Sequence, residues 1–334
     1  MESEWIDKIF SVSPAGFEQL ALSVFRFQHG NNELYRRYVQ ALHVSPDQVD
    51  ALPKIPFLPI RFFKSHRVAT TAFNEEQVFE SSGTTGMVNS RHYVKHAAVY
   101  DRSFLTAFEQ FYGPVTDWCI LALLPAYAER RGSSLTLMAE ELIRKSGHPQ
   151  SGFFLYEHRQ LHALLTELEQ RGQKTLLLGV TFALLDFAGS YPMQLRHTIV
   201  METGGMKGRR QELTRPELHT ILQQGLGVQS VHSEYGMTEL LSQAYSKAKG
   251  IYHGPAWMRV VLREEEDPLR VRAHTAAGEE QPLSGVINVI DLANLYSCSF
   301  IATDDLGKLY NDGGFEVLGR IDNSDVRGCS LLVV

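Results

Sequence analysis

The feature that most restricts the fold of this chain is a regular alternation of apolar runs with amphipathic segments in its middle part. The apolar runs have the length and residue content of buried strands: CILALLP, KTLLLGV and RHTIVMETGG. The amphipathic segments have apolar residues at helical spacing and stop at a glycine: LTLMAEELIRKSG, EHRQLHALLTELEQRG and RPELHTILQQGLG. Buried strands that alternate with helices indicate an α/β fold, in which helices cover the faces of a sheet.

The segments on either side have a different texture. Two N-terminal segments, SPAGFEQLALSVFRFQHG and NELYRRYVQALH, have helical periodicity. The proline-rich LPKIPFLPIRFFKSH predicts extended backbone, because a proline disfavours helix at the residue before it. After Gly250, short β-like runs predict a smaller antiparallel β subdomain. We therefore expect three consecutive parts: a helical segment at 1–65 packed on the main domain, an α/β core at 66–250, and a β subdomain with a C-terminal tail at 251–334.

Charge, cysteine content and hydropathy exclude several classes of protein. The net charge is −6 and the basic residues form no block or stripe, so nucleic-acid binding is not expected. The cysteines are scattered without CxxC spacing, which argues against a disulfide framework or a zinc site and fits a reducing compartment. The N-terminus lacks a signal-peptide pattern, and no apolar run reaches the roughly 18 residues of a spanning helix. We therefore expect a cytoplasmic protein without membrane insertion.

The first candidate site is the run FESSGTTG, which has few side chains that could pack in a core. It follows the predicted strand EEQVFE, and its glycines would let successive backbone N–H groups point at one anion, with the hydroxyls as further donors. Such a phosphate cradle would consist of Ser81, Ser82, Gly83, Thr84, Thr85 and Gly86. It is not a Walker A loop, because no Lys-Ser or Lys-Thr pair follows the last glycine. A polar surface turn is the alternative, and the hexamer by itself favours it.

The second candidate is SEYGMTEL, which follows the predicted strand VQSVH. Gly236 allows a tight turn, Tyr235 can lay its ring on a flat heteroaromatic ligand, and Glu239 can hold a hard cation such as Mg²⁺ through oxygen. The alternative is the start of a helix, in which Thr238 caps the helix and Glu239 interacts favourably with the helix dipole.

The third candidate combines ATDDLG with the later GRIDNSDVRGCS. Asp304 and Asp305 can accept hydrogen bonds from sugar hydroxyls, and Arg320 can pair with a phosphate as a fork. The alternative is an Asp-rich β-turn beside a solvated charge cluster.

In order and rough spacing these three motifs resemble the adenylate-forming superfamily, which comprises acyl-CoA synthetases, nonribosomal-peptide adenylation domains and firefly-type luciferases. The resemblance implies the N-terminal-domain fold of that superfamily and the binding of ATP and Mg²⁺. It implies that the Ser/Thr/Gly loop binds the pyrophosphate of ATP and that Asp305 binds the ribose. It also implies that Arg320 lies at the start of the hinge. The metal ligand implied is Glu239. The residues implied at the adenine are Gly204, Gly205, Glu234, Tyr235, Gly236, Met237 and Thr238.

A finer resemblance is to the acyl-protein synthetases, the LuxE-like family of the bacterial bioluminescence fatty acid reductase system. It rests on SSGTTGMVNSRH, LLPAYAERRGSSL, ETGGMKGRR and GRIDNSDVRGCS, and it covers the chain from about residue 70 to the C-terminus. That family carries its acyl-accepting cysteine close to the C-terminus, which implies this role for Cys329. The resemblance therefore implies that a carboxylic, fatty acid is activated to acyl-AMP, that its acyl group passes to a protein thiol, and that an acyl reductase is the partner. A carrier protein is the other candidate partner.

The chain departs from the superfamily pattern in two places. Val88 and Asn89 stand where Pro-Lys usually follows the phosphate loop, and Arg91 or His92 is our candidate for the missing positive charge. The sequence also ends soon after the hinge motif, where superfamily members continue into a C-terminal domain of roughly a hundred residues that supplies a lysine for adenylation. We therefore expect a stand-in cation from this chain, with Lys207 as the candidate.

Two other functions fit the same motifs. The chain could be a truncated acyl-CoA ligase that delivers the acyl group to CoA or to a carrier protein. It could also be a catalytically silent nucleotide-binding subunit that supports a partner enzyme. A serine hydrolase is disfavoured, because the sequence has no Gly-x-Ser-x-Gly motif.

Overall fold

A computed structural model of the protein describes residues 2–81, 88–125, 132–204, 213–267, 269–273 and 281–321. Its α-helices are α1 Glu2–Phe10, α2 Phe17–Asn31, α3 Glu33–Ala41, α4 Phe62–Ser65, α5 Ala97–Tyr112, α6 Ser134–Ser146, α7 His158–Gln170, α8 Thr181–Ser190 and α9 Arg215–Leu226. Its strands are β1 Leu58–Pro59, β2 Gln77–Glu80, β3 Arg91–Val94, β4 Cys119–Leu123, β5 Gly152–Phe153, β6 Thr175–Val180, β7 Thr198–Thr203, β8 His232–Tyr235, β9 Ala244–Ser246, β10 Ile251–Tyr252, β11 Met258–Arg263, β12 Val271–Arg272, β13 Leu283–Asp291, β14 Phe300–Leu309 and β15 Phe315–Arg320.

The chain forms two compact units that are interleaved along the sequence. Unit 1 comprises Met1–Phe104, Met237–Gln243 and His253–Val317, and unit 2 comprises Leu105–Gly236, Ala244–Tyr252 and Leu318–Val334. These units differ from the consecutive ranges 1–65, 66–250 and 251–334, because the chain leaves unit 2 after Gly236 and again after Tyr252.

Unit 2 is built on a sheet with the strand order β5-β4-β6-β7-β8-β9. Strands β4 to β8 are parallel to their neighbours, and β9 is antiparallel to β8. Every residue of β4 and β6 is buried, as expected for strands that are covered on both faces. Helix α6 packs on β4, and α8 packs on β6 and β7. The α/β fold predicted from the alternation is therefore confirmed.

The helices of unit 2 end where the sequence predicts, but one of them was missed. Helices α6 and α9 end at Gly147 and Gly227, whose φ angles of +62° and +64° lie in the left-handed region that glycine adopts without strain. Helix α8 follows β6 directly within the run TLLLGVTFALLDFAG. That run is apolar throughout, so it shows neither a helical period nor a break at which the strand ends.

Unit 1 contains the predicted antiparallel strands. Strand β13 pairs with β11 and β14, β11 also pairs with β12, and β15 lies beside β14. The proline-rich stretch is extended only in part, so that prediction was wrong. Leu52–Lys54 forms a 3-10 turn with proline in its first turn, and α4 begins at Phe62, after the last proline. A proline lacks the N–H that the first turn of a helix leaves unpaired, and it is tolerated there. Between these turns, β1 pairs in parallel with β14.

A cluster of aromatic side chains joins the N-terminal helices of unit 1 to its sheet. The ring of Phe300, on β14, lies 6.2 to 6.3 Å from the rings of Phe25, Tyr35 and Phe57. Phe25, Tyr35 and Phe300 are completely buried, and the Tyr35 hydroxyl donates to the backbone carbonyl of Pro56 at 2.6 Å. Because Phe300 contacts the rings of Phe25 on α2 and Tyr35 on α3, it connects both helices to β14.

We expect Phe300→Ala to lower the free energy of unfolding by about 3–5 kcal/mol, since it removes a buried ring and leaves a cavity among three others. Urea denaturation measures this change. Phe300→Leu, which refills most of the volume, should lose much less, and Tyr156→Ala serves as a control because Tyr156 is 74% exposed. A loss in Phe300→Ala no larger than that of the control would show that the cluster does not stabilise unit 1.

Two further observations concern the described residues as a whole. None of their helices is long and apolar enough to cross a bilayer. Cys119 and Cys298 are both buried as free thiols.

Candidate active site

In unit 2, residues that the sequence predicts to bind adenine lie at the carboxyl ends of β7 and β8. These strands are adjacent and parallel, so their ends lie at one edge of the sheet, where open α/β sheets bind ligands. Gly204 follows β7 with φ of +72°, and Tyr235 ends β8 with 9% of its surface exposed. The Tyr235 ring lies 5.8 Å from that of Tyr252. The structure therefore brings Gly204, Glu234 and Tyr235 to one edge, while Gly205 lies outside the described residues.

A buried carboxylate that the sequence analysis did not single out lies at the same edge. Glu202, on β7, is 3% exposed, and its Oε1 atom lies 3.9 Å from Arg215 Nε and 3.8 Å from His219 Nε2 on α9. The Thr181 hydroxyl donates to its Oε2 atom at 3.4 Å. Burial alone would raise the pKa of Glu202, but His219 and the charge of Arg215 outweigh it and lower that pKa below its ordinary value. Glu202 therefore ties the first turn of α9 to the end of β7.

Glu234 is a second buried carboxyl, and its environment raises its pKa, whereas that of Glu202 is lowered. The Thr203 hydroxyl donates a hydrogen bond to it. Burial nevertheless raises the pKa of Glu234 to about 7, and the negative charge of Glu202 contributes to that rise. Two neighbouring carboxyls thus differ in protonation at neutral pH, with Glu202 ionised and Glu234 partly protonated.

This difference predicts how the stability of the protein depends on pH. The pKa of Glu234 rises from 4.5 to about 7 on folding, so the folded protein retains a proton that the unfolded chain releases between these values. The free energy of unfolding should therefore fall as the pH rises from 4.5 to 7, by an amount on the order of 3 kcal/mol. Urea denaturation at a series of pH values measures the slope.

The matched variant for this prediction is Glu234→Gln, which keeps the shape and removes the titration. Asp291 of unit 1 has a pKa that burial raises to about 6, and it contributes a change of the same sign. The comparison is therefore the slope of the parent minus that of Glu234→Gln. Equal slopes in the two proteins would show that Glu234 does not hold the extra proton.

In unit 1, the segment Met237–Gln243 carries Glu239 and is held at several points. Glu239 is completely buried, and its backbone carbonyl accepts from Asn294 Nδ2 at 2.8 Å. The Asp291 carboxylate accepts from the backbone N–H groups of Leu241 and Ser242, each at 2.9 Å, and from the Ser242 hydroxyl at 2.6 Å. The segment contains no helix, so the alternative that Thr238 caps a helix was wrong.

His92, on β3, makes the third attachment of this segment. Its Nδ1 atom lies 2.9 Å from the backbone carbonyl oxygen of Thr238. A carbonyl oxygen only accepts, so Nδ1 carries a proton, and in the neutral imidazole Nε2 then carries the lone pair. Nε2 is buried and has no hydrogen-bond partner among the described residues. The rings of Phe63 and Phe79 meet the imidazole edge-on at 5.6 and 6.4 Å.

The candidates for a missing positive charge fare differently. Burial lowers the pKa of His92 to about 4, against the opposing effects of the Thr238 carbonyl and the Glu239 charge, so its imidazole is neutral at neutral pH. His92 therefore does not replace a lysine charge. Arg91 is charged, and its Nε atom pairs with Glu80 Oε1 at 2.9 Å across the hairpin of β2 and β3. Lys207 lies outside the described residues.

The aspartates of the third motif lie within a strand rather than a turn, so the alternative of an Asp-rich turn was wrong. Asp304 and Asp305 are consecutive on β14, where the register between β13 and β14 shifts between Val286 and Asn288. Asp304 pairs with Arg61 Nε at 3.3 Å. Asp305 is 7% exposed, and its backbone N–H donates to the Thr303 hydroxyl at 3.1 Å. Arg320 is the last residue of β15, in unit 2.

Part of the candidate site lies outside the described residues: Ser82, Gly83, Thr84, Thr85, Gly86, Gly205, Lys207 and Cys329. At the border of the first gap, Ser81 and Ser90 are paired. The Ser81 N–H donates to the Ser90 carbonyl at 3.1 Å, and the Ser90 N–H donates to the Ser81 hydroxyl oxygen at 2.9 Å. The β2–β3 hairpin thus continues as far as the start of the Ser/Thr/Gly run.

Four residues near the candidate site residues were not singled out from the sequence: Glu202, Arg215, His219 and Asp291. Glu202 and Asp291 left a weak signal, since each is an acidic residue in or at the end of an apolar strand run. A buried carboxylate is costly unless it is paired, and a partner is therefore to be expected. His219 and Arg215 lie on an amphipathic helix and gave no such signal.

Comparison with known proteins begins with sequence. No protein-family model matches the chain. The long-chain-fatty-acid–luciferin-component ligase of Photorhabdus luminescens is 39% identical over 95 residues, which cover 25% of this chain and 81% of that protein. The chain belongs to the LuxE-like acyl-protein synthetase family. This family is a group of ligases within the adenylate-forming superfamily, as the motifs implied.

Solved structures of low sequence identity share the fold of this LuxE-like chain. A 2-hydroxyisobutyryl-CoA ligase matches with a TM-score of 0.60 at 13% identity, over 95% of this chain and 70% of that one. MatB from Rhodopseudomonas palustris matches with a TM-score of 0.51 at 17% identity, over 73% of this chain. The chain spans about half the length of MatB, since the match covers 47% of it. The predicted fold, that of the N-terminal domain of adenylate-forming enzymes, is confirmed.

The residues around Glu239 fit the divalent cation that the superfamily implies. Glu239 offers a completely buried carboxylate, and the lone pair of His92 Nε2 has no partner among the described residues. Those residues contain no group of three or more His, Cys, Asp and Glu side chains that could enclose a metal ion. Mg²⁺ in proteins is usually held by one or two carboxylates, and its other ligands are water and substrate phosphates.

Proposed function

We propose that this LuxE-like ligase uses ATP and Mg²⁺ to convert a carboxylic acid to acyl-AMP and then passes the acyl group to a protein thiol. The observation that carries the proposal is the fully buried carboxylate of Glu239. It lies in a short segment that Asn294, Asp291 and His92 hold by hydrogen bonds. A carboxylate is an oxygen ligand of the kind that Mg²⁺ prefers, and the family resemblance implies this role for Glu239.

In the first step an oxygen of the substrate carboxylate attacks the α-phosphorus of ATP, and pyrophosphate leaves. The chain contributes position rather than covalent chemistry: Tyr235 stacks on the adenine, Asp305 accepts from the ribose hydroxyls, and the run from Ser81 to Gly86 donates to the phosphates. Glu239 would hold Mg²⁺, which would supply positive charge to neutralise the phosphates. Arg91 and Lys207 are the cations of this chain assigned to the same phosphates.

In the second step a thiolate attacks the acyl carbon of acyl-AMP, a thioester forms, and AMP leaves. We assign this thiol to Cys329. The curated relative is named for a long-chain fatty acid, and this supports a fatty acid as the substrate. The acceptor after Cys329 would be an acyl reductase or a carrier protein in the cytoplasm.

Two alternatives to this function fit the same motifs. A ligase that delivers the acyl group to CoA or a carrier protein has some support, because a solved structure with the same fold is a CoA ligase. A silent nucleotide-binding subunit would bind ATP without catalysing any step.

Pyrophosphate exchange into ATP tests the proposal. The purified chain is incubated with Mg²⁺, labelled pyrophosphate and carboxylic acids of increasing chain length. Acid-dependent exchange is the expected result, with the highest rate on long-chain acids. Lack of exchange with every acid, when ATP still binds, would identify a silent subunit. Product formation that depends on added CoA would favour the CoA ligase.

A further inference from the structure

His92 links two parts of unit 1 that the proposed function requires together. It lies on β3, opposite Phe79 of β2, in the hairpin that leads into and out of the Ser/Thr/Gly run. Its Nδ1–H group donates to the carbonyl of Thr238, the residue before Glu239. One side chain thus joins the hairpin of the phosphate-loop motif to the segment that carries the metal-ligand candidate.

The other ring nitrogen of His92 is one of several buried polar atoms that have no partner among the described residues. The side chain is 1% exposed, and Nε2 has no hydrogen-bond partner among the described residues. A buried polar atom that stays unpaired costs about 1–3 kcal/mol, so a partner other than the described residues is to be expected. Because Nδ1 is protonated toward Thr238, that partner must be a hydrogen-bond donor or a cation.

The charge of Glu239 favours a cation, or water bound to one, as this partner. The Glu239 carboxylate acts electrostatically on His92, and both groups are buried in unit 1. A carboxylate cannot itself donate to Nε2 while it is ionised. Water in the coordination sphere of a cation held by Glu239 is a strong donor, and Mg²⁺ keeps several such waters when proteins bind it.

We infer that His92 is a positioning residue for the cation: Nδ1–H fixes the Thr238–Glu239 backbone, and the Nε2 lone pair accepts a hydrogen bond from water on the cation that Glu239 holds. This inference rests on the proposed function, since it requires a cation and a nucleotide at Glu239. It adds to that function an imidazole that is neutral and acts as an acceptor. A lysine or arginine at residue 92 could not take this role, because both side chains only donate.

The test uses the two half-replacements of an imidazole. In His92→Asn, the amide NH₂ takes the place of Nδ1–H and can still donate to Thr238, but nothing replaces Nε2. In His92→Gln, the longer side chain brings an amide oxygen near the position of Nε2, and the donor to Thr238 is lost. His96→Leu is the control, because His96 is a histidine that follows β3 and lies 37% exposed beside Glu76.

Binding of α,β-methylene-ATP, which cannot transfer its adenylyl group, is measured by calorimetry with Mg²⁺ and with EDTA. The ratio of the two dissociation constants is the coupling between metal and nucleotide. We expect His92→Asn to unfold at the same urea concentration as the parent but to lose about tenfold in this coupling. His92→Gln should keep more of the coupling than His92→Asn although its stability is lower, and His96→Leu should equal the parent.

Parent-like coupling in His92→Asn would overturn the role of Nε2 and leave only the attachment to Thr238. The same holds if His92→Gln loses more coupling than His92→Asn. If the parent binds α,β-methylene-ATP equally with Mg²⁺ and with EDTA, the metal assignment of Glu239 fails. If the parent binds no nucleotide at all, the proposed function fails, and this inference fails with it.

Discussion

Glu239→Gln should reduce acid-dependent pyrophosphate exchange by about 100-fold or more. Glutamine has nearly the shape of glutamate but no charge with which to hold a divalent cation. Removing a single preorganised electrostatic contact from an active site commonly costs two to three orders of magnitude in rate. Exchange is measured at saturating ATP and acid and again at raised Mg²⁺.

The fold of this variant is the control. The backbone of Met237–Gln243 is held by Asn294, Asp291 and His92, none of which contacts the altered carboxylate through the hydrogen bonds that fix the segment. Urea denaturation should therefore show a transition as cooperative as that of the parent. Exchange at the parental rate would show that Glu239 holds no cation and would remove the main support for the proposed function.

Cys329→Ser should keep pyrophosphate exchange and lose the covalent acyl adduct altogether. Exchange reports only the first step, which needs no thiol, whereas the thioester needs a thiolate. The parent, incubated with ATP, Mg²⁺ and a labelled fatty acid, should give a protein-bound label that hydroxylamine releases. Arg327, two residues before Cys329 in the sequence, should favour the thiolate at that position.

The other two cysteines provide matched controls. Burial raises the pKa of Cys119 to about 11 and that of Cys298 to about 12, so neither is a thiolate at neutral pH. Cys119→Ser and Cys298→Ser should therefore keep the full adduct, provided that they fold. A thioester that survives in Cys329→Ser would move the acceptor to one of these buried thiols. A label that resists hydroxylamine would argue against a thioester of any cysteine.

The parts of the fold that depend on local pattern could be predicted from the sequence. Helix α6 is an example, because its amphipathic period and its glycine stop lie within a single segment. Helix α8 could not be predicted in this way. Its apolar residues continue those of β6 without a break, and only packing against β6, β7 and α9 determines where the strand ends and the helix begins.

In the candidate site, too, residues of one local motif could be predicted from the sequence, whereas contacts between distant residues could not. Tyr235 and Glu239 belong to one short motif, so the sequence alone is sufficient to single out both residues. The contact of His92 with Thr238 joins residues 146 positions apart, and that of Asp291 with Leu241 joins residues 50 positions apart. No local pattern carries such pairings, so His92 was taken for a source of charge when its surroundings make it neutral.

The interleaving of the two units affects how this gene can be cut or exchanged. Any single cut between Phe104 and His253 leaves unit 1 in two pieces. A product that stops at Gly236 would lose β9, the strand that pairs with β8, along with the whole segment that carries Glu239. We therefore expect that no uninterrupted fragment ending in this region folds as an independent domain, and that natural recombination between relatives is tolerated outside it far more often than within it.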